Sequence, residues 1–182
     1  MHKRVKHVLV VSVGLITLTP TFLPAAEPCD GFTWDVARER SLFAGSPQHL
    51  AAGKDSVSAP QISLGRLYQI ALAPESDVHV ATTPGHKPRG EGTLAGMARL
   101  RISQAGVYRV SLSEGAWVDL VHEGTVIASE DHQGRAGCSA PHKVVQFRLP
   151  AGEVLVQLSG ATVPAVQMTV TPAPQGSSAP AK

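Results

Sequence analysis

The chain contains no asparagine. That removes every N-glycosylation acceptor and the commonest side chain of tight turns and sugar contacts, leaving Gly, Pro, Asp and Ser to make the reversals. Aromatic residues are few as well: two Trp, two Tyr and four Phe. With so small a supply, Trp34 and Trp117 are expected to pack against the core or a sheet, their alternative use being a carbohydrate-stacking surface. No Gly-x-Ser-x-Gly elbow occurs, and the serines beside glycines fall in turns rather than between a strand and a helix. Beyond residue 26 there is neither a basic run nor an apolar run of membrane-spanning length. These absences argue against nucleic acid as a partner, against a permanent span and against a serine hydrolase of the elbow type.

What is present begins with a three-part leader. Met1 to His7 carries Lys3, Arg4 and Lys6 with no acid, Val8 to Leu23 is apolar and uncharged, and Pro24-Ala25-Ala26 offers small residues before Glu27. A positive end, an apolar stretch and a small-residue cleavage site are the marks of a secretory signal, so residues 1–26 are expected to be removed and the protein to be periplasmic or secreted. With the three leader bases gone, thirteen of sixteen Lys and Arg remain against fourteen Asp and Glu, a net charge of −1. A near-neutral surface has no electrostatic reason to seek nucleic acid or anionic lipid. Both cysteines, Cys29 and Cys138, follow the leader. An even count in an oxidising compartment predicts one disulfide. Closing so long a loop contributes about 4 to 5 kcal/mol on the chain-entropy model.

Periodicity divides the remainder. Cys29 to Ala44 is the one candidate helix, with Thr33 as cap, Asp35 in the first turn and Val36, Arg40 and Phe43 on one stripe; Asp35, Arg38, Glu39 and Arg40 are expected on a solvated charged face. Gly45 to Pro60 is rich in Ala, Gly, Ser and Pro and is expected to be a linker, so that residues 27–60 form a helix and linker tied down by the disulfide. From residue 61 to 171 the period becomes two. The expected strands are Leu64 to Ala73, Asp77 to Thr83, Leu94 to Ser103, Val107 to Ser113, Trp117 to His122, Thr125 to Ala128, Lys143 to Leu149, Val154 to Leu158 and Ala165 to Thr171. Turns at Ser113-Glu114-Gly115, Glu123-Gly124 and Pro150-Ala151-Gly152-Glu153 separate several of them. The pattern predicts an all-β fold, an antiparallel β-sandwich or jelly roll of eight or nine strands with one short N-terminal helix, followed by a disordered tail over residues 172–182.

One stretch has a familiar cadence: Ala105-Gly106-Val107-Tyr108-Arg109-Val110, then Trp117-Val118-Asp119-Leu120-Val121 and Gly124-Thr125-Val126-Ile127-Ala128. Later come Val145-Gln146-Phe147-Arg148-Leu149-Pro150-Ala151-Gly152 and Val154-Leu155-Val156-Gln157-Leu158. It resembles the bacterial pre-peptidase C-terminal (PPC) domain, a secreted β-sandwich often appended to exported hydrolases. The tyrosine usual in that family after the Pro-Ala-Gly turn is replaced here by Val154-Leu155-Val156. The resemblance therefore implies a fold and an export route rather than a chemistry. Taken whole, the chain is also similar to a group of small exported bacterial proteins that carries no assigned chemistry.

Two constellations are worth testing as sites. Cys138-Ser139-Ala140-Pro141-His142 has the thiolate and imidazole of a copper loop, but no methionine follows nearby and a disulfide would abolish the thiolate. His132 and His142, with Asp131 or His122, form the best set for a metal; Asp131 and His132 are expected in a long loop ending at Cys138, and Asp119 and His122 on opposite faces of a strand. His79 and His86 read as surface histidines, His79 on a strand's outer face. No cofactor is implied. The reading that follows is an exported, non-catalytic β-sandwich that binds a protein or an envelope polymer. Its alternatives are a periplasmic metal-binding protein using loop histidines, and a hydrolase with an unrecognised site.

Overall fold

The computed structural model describes Cys29 and residues 31–85 and 92–174; the leader, Asp30, His86 and residues 175–182 of the expected tail lie outside the described residues. In chain order come the helix α1 (Ala37–Phe43) and the strands β1 (Gln48–Ala51), β2 (Gln61–Ile62), β3 (Tyr68–Ala71) and β4 (Ala73–Pro74). A 3-10 turn (Glu75–Asp77) precedes β5 (Leu94–Ile102), β6 (Gly106–Leu112), β7 (Trp117–His122) and β8 (Thr125–Ile127). The last four are β9 (Ser129–Gly134), β10 (Lys143–Leu149), β11 (Gly152–Ala161) and β12 (Ala165–Pro172). The fold is an all-β sandwich. The first sheet runs β1-β3-β12-β6-β10-β9 and the second β2-β5-β11-β7-β8, with β4 also on β5.

Alternation builds the core between the sheets. Tyr108, Val110 and Leu112 of β6, Val145, Phe147 and Leu149 of β10, and Val166, Met168 and Val170 of β12 face Ala98, Leu100 and Ile102 of β5, Val118 and Leu120 of β7, and Val154, Val156 and Leu158 of β11. Every second residue of each strand points inward because the pleat has a period of two. Phe147, Leu100, Leu112 and Leu120 are fully buried.

Pairing is not antiparallel throughout. β1 lies parallel to β3, and β2 parallel to β5. The cause is an excursion in the stretch expected to be a linker. After β1, Gly53 exchanges two backbone hydrogen bonds with Met97 of the second sheet at 2.9 and 3.0 Å, β2 pairs there too, and the chain then returns to lay β3 beside β1. Composition hid this because small residues are what the close approach requires. A Cβ on Gly53 would lie 2.4 Å from the amide nitrogen of Ala59, and one on Gly96 only 2.3 Å from the Cβ of Ala52.

Four other expectations are corrected. The expected strand Leu64 to Ala73 is interrupted at Leu72, where the chain passes from β3 in the first sheet to β4 in the second. Asp77 to Thr83 forms no strand. Its backbone is held one-sidedly, His79 N–H donating to Lys54 O at 2.7 Å and Ala81 N–H to Gln157 Oε1 at 2.9 Å, so no ladder can run through it. Asp131 and His132 lie not in a loop but on β9, a polar edge strand paired with β10. The helix is one short stretch, Ala37–Phe43, because Thr33 bonds Gln133 of β9 rather than capping, and Asp35 Oδ1 instead accepts the Ala37 N–H at 3.0 Å.

Two predictions follow from packing. Gly53→Ala places a methyl group against backbone that cannot yield, and the protein is expected to lose about 2 kcal/mol or more in urea unfolding. Ser111 of β6 and Thr169 of β12 are register neighbours whose hydroxyls are buried with no partner among the described residues. Ser111→Ala is therefore expected to raise the urea midpoint, since leaving a buried hydroxyl unpaired costs about 1 to 3 kcal/mol.

Candidate functional site

The outward positions of the first sheet are polar, and alternation would place them in water. Instead the N-terminal segment covers them. Gln133 Oε1 accepts the Thr33 N–H at 2.9 Å, and Gln133 Nε2 donates to Thr33 Oγ1. One strand inward, Gln146 Oε1 accepts from Arg109 Nε at 3.2 Å, and Arg109 Nη1 donates to Asp35 O at 2.7 Å. Trp34 lies over the Arg109 guanidinium, 4.7 Å from its ring centroid. Further along the same face, Thr171 Oγ1 donates to Glu39 Oε1. Arg109 and Glu39 are each only 1% exposed. Glu39 thus belongs to the buried stripe with Val36 and Phe43, not to the solvated face expected for it, because the helix packs on β12 by that side. Burial pushes the Arg109 guanidinium below its ordinary pKa, while the charges of Glu39 and Asp35 pull it back up.

The disulfide fastens this cover. Cys29 and Cys138 are joined across 109 residues with Cα atoms 5.1 Å apart. Arg40 Nη2 donates to Cys29 O, and the Arg135 guanidinium lies 5.4 Å from the Phe32 ring centroid. An oxidised Cys138 is no thiolate, so the copper loop has no sulfur ligand.

The histidines expected as a metal set are dispersed. His122, on the second sheet, has Nδ1 2.8 Å from Glu153 O; His142 Nδ1 is 3.2 Å from Cys138 O; Asp131 Oδ1 accepts the His132 N–H at 2.8 Å. Among the described residues no three His, Cys, Asp or Glu side chains gather in the manner of a metal site. His132 instead lines a cavity of about 60 Å³ with Trp117, Ser129 and Lys143, room for little more than water. Trp117 donates through Nε1 to Asp119 Oδ1 at 2.9 Å, with Lys143 Nζ 5.2 Å from its ring centroid. The two tryptophans serve opposite sheets and form no common stacking surface.

The outer face of the second sheet is different. Part of it is covered: Met97 and Ala95 lie beneath Ala59 and Val78 as a second apolar cluster, with Val80 and Leu155 against it. Where that cover ends there is an open groove of about 330 Å³, lined by Ser56, Ala81, Arg99, Val121, Glu123, Gly124, Glu153 and Leu155. Register explains its floor. Val126 of β8 lies opposite Val121 of β7, Val121 opposite Leu155 of β11, and Leu155 opposite Arg99 of β5, one row across four strands. The Glu123-Gly124 turn, both residues at positive φ (48° and 76°), forms one lip. At the other end Arg99 donates through Nε to Ala59 O at 3.0 Å and through Nη2 to Val57 O at 3.3 Å. That loop is braced by Asp55, whose Oδ1 accepts from Ser58 N–H at 2.7 Å and Ser58 Oγ at 2.8 Å. Those donors hold the Asp55 carboxyl below the usual carboxylate range, so the brace is complete at neutral pH and weakens as the pH falls through that lowered pKa.

Apart from the Glu123-Gly124 turn, none of these groove residues was singled out by the sequence. The signal that could have found them is Val121 and Leu155, apolar at outward positions of strands whose inward positions are apolar already.

Buried Arg109 is bonded to Gln146 Oε1 and Asp35 O and is balanced through space by the charge of Glu39, and disturbing a buried charge that its surroundings compensate costs about 3 to 5 kcal/mol. Arg109→Met is expected to lose stability in that range, whereas the double variant Arg109→Met, Glu39→Gln is expected to lose less than the sum of the two single changes. A double-mutant cycle in urea checks this.

No protein-family model matches the chain, and no curated protein matches it, so the function rests on the geometry above.

Proposed function

We propose that the protein is an exported, non-catalytic β-sandwich module that binds a partner protein through the outer face of its second sheet. One observation carries this reading. Among the described residues the exposed large apolar side chains are Val57 at 83% and Val126 at 45%; Val57 follows the groove residue Ser56 and its carbonyl accepts from Arg99, and Val126 lies opposite the groove residue Val121 on the next strand. Exposed apolar groups gathered beside a polar-rimmed groove mark an interaction surface more often than scattered ones do. Over the first sheet the chain's own N-terminal segment covers Arg109, Gln133 and Thr171, and the wide, shallow depression of about 680 Å³ on that side is lined by residues of this segment, Phe32, Trp34, Asp35 and Arg40 among them, rather than by a sheet. A protein fits the groove better than an envelope polysaccharide, since its lining pairs an apolar floor with charges of both signs and holds no aromatic ring on which a sugar would stack.

Export is supported by the leader's three regions and by the Cys29–Cys138 disulfide, which suits an oxidising compartment. Among the described residues no helix is long and apolar enough to cross a membrane. The resemblance to PPC domains agrees with a module of this kind.

The test is site-specific photo-crosslinking in bacteria that export the protein, with p-benzoylphenylalanine at position 57, at position 126, and at exposed Ser103 as control. Discrete adducts at 57 and 126 but not at 103 are expected. The same pattern at all three positions, or none at the groove, would overturn the proposal.

A further inference from the structure

We infer that the groove takes the carboxyl-terminal end of an extended peptide, its carboxylate at Arg99, an apolar side chain over Val121 and Leu155, and a basic side chain toward Glu123 and Glu153. This rests on the reading of that face as a protein-binding surface.

The charges are the first argument. Exposed Glu123, at the β7–β8 turn, and Arg99, on β5, lie on opposite sides of Val121 and Leu155, while exposed Glu153 lies between them on β11, opposite Arg101 of β5. A ligand that satisfies both ends must carry a cation and a carboxylate on either side of an apolar group. The guanidinium is also held in place: its Nε and one N–H of Nη2 are engaged by the carbonyls of Ala59 and Val57, which leaves the remaining donors for an incoming carboxylate. A planar, fixed guanidinium is the side chain best matched to a carboxylate in a two-point contact.

Dimensions are the second. Neighbouring strands lie about 4.8 Å apart, so the step from β7 across β11 to β5 is about 10 Å. An extended chain covers at most about 3.5 Å per residue, so about three residues span that distance. The groove volume of about 330 Å³ is at the lower end for a ligand site and suits so short a segment.

The third is what lies at each end. The Val57 to Ala59 loop accepts from the Arg99 guanidinium and leads into β2 on the far side of β5, so a chain lying in the groove meets that loop beyond Arg99. At the other end, by Gly124, a Cβ would meet nothing within 4 Å. A chain can enter past Glu123 and terminate at Arg99, which selects a terminal carboxylate over one on a side chain in mid-sequence. Capture of a chain end by fixed donors is a recurring mode of peptide recognition.

The experiment is a titration of the ¹⁵N-labelled full-length mature protein, followed by amide shifts, with three probes: Lys-Leu-Val free acid, the same peptide amidated, and Glu-Leu-Val free acid. Saturable shifts confined to the groove strands and the Val57 loop are expected with Lys-Leu-Val acid, together with binding at least about tenfold weaker for each of the other two. Glu153→Lys, a change at an exposed position that spares the core, should reverse the preference between the Lys and Glu peptides. Equal binding of acid and amide would overturn carboxylate capture. So would a doubled mass in light scattering that Val57→Asp abolishes, because a second copy would then cover the groove. Silence with all three peptides while the crosslinks at 57 and 126 persist would overturn the peptide end alone; loss of those crosslinks too would remove the binding face with it.

Discussion

A buried guanidinium organises one whole side of this protein. Arg109 stands at an outward position of a central strand, and leaving a charge there without water costs several kcal/mol unless it is paired and hydrogen-bonded. Its partners come mostly from elsewhere in the chain: the Asp35 carbonyl, the charge of Glu39 and the face of Trp34 all belong to the segment before the first strand. The segment must therefore lie where it does for Arg109 to be satisfied, and Arg109 gives the segment a polar seat. The disulfide holds the two together by joining the segment's first described residue to the loop after β9.

That arrangement decides which surfaces remain available. A sandwich has two outer faces, and here the chain's own N-terminal segment covers Arg109, Gln133 and Thr171 of the first and leaves Arg148 exposed, while other segments cover part of the second. The excursion after β1 and the stretch after the 3-10 turn cover Met97 and Ala95 and reach Leu155, which packs against that cluster and lines the groove beyond it. The groove is what the covering segments leave uncovered. Its charges follow from strand order, since β5 carries Arg99 while β11 and the β7–β8 turn carry Glu153 and Glu123. The chain switches sheets at two corners, from β3 into β4 and from β8 into β9.

The strands of the second half were readable because each has one face in the core and a period of two: β6, β7, β10 and β12 begin and end within a residue or two of where alternation puts them. The errors share a cause. β1 and β9 are edge strands with little apolar content, and the residues after the 3-10 turn look alternating yet bond to a loop and a glutamine side chain. Glu39 and Arg109 read as surface residues because nothing local says that another segment will cover them.

The amino-acid sequence by itself determined the all-β class, the inward face of each long strand, the Glu123-Gly124 reversal and, through two cysteines in an otherwise cysteine-free chain, which residues are joined. Those properties depend on near neighbours and on the pleat, and near neighbours are what a sequence displays. Only the tertiary structure decided that the N-terminal segment covers Arg109 and Thr171 on one outer face, that the histidines are dispersed, and that Arg99, Val121, Glu123, Glu153 and Leu155 meet around one groove. These five residues come from three separate stretches of chain, and what brings them together is strand order. That order is set by the free energy of burying all the inward faces at once, a property of the whole chain and of no segment within it.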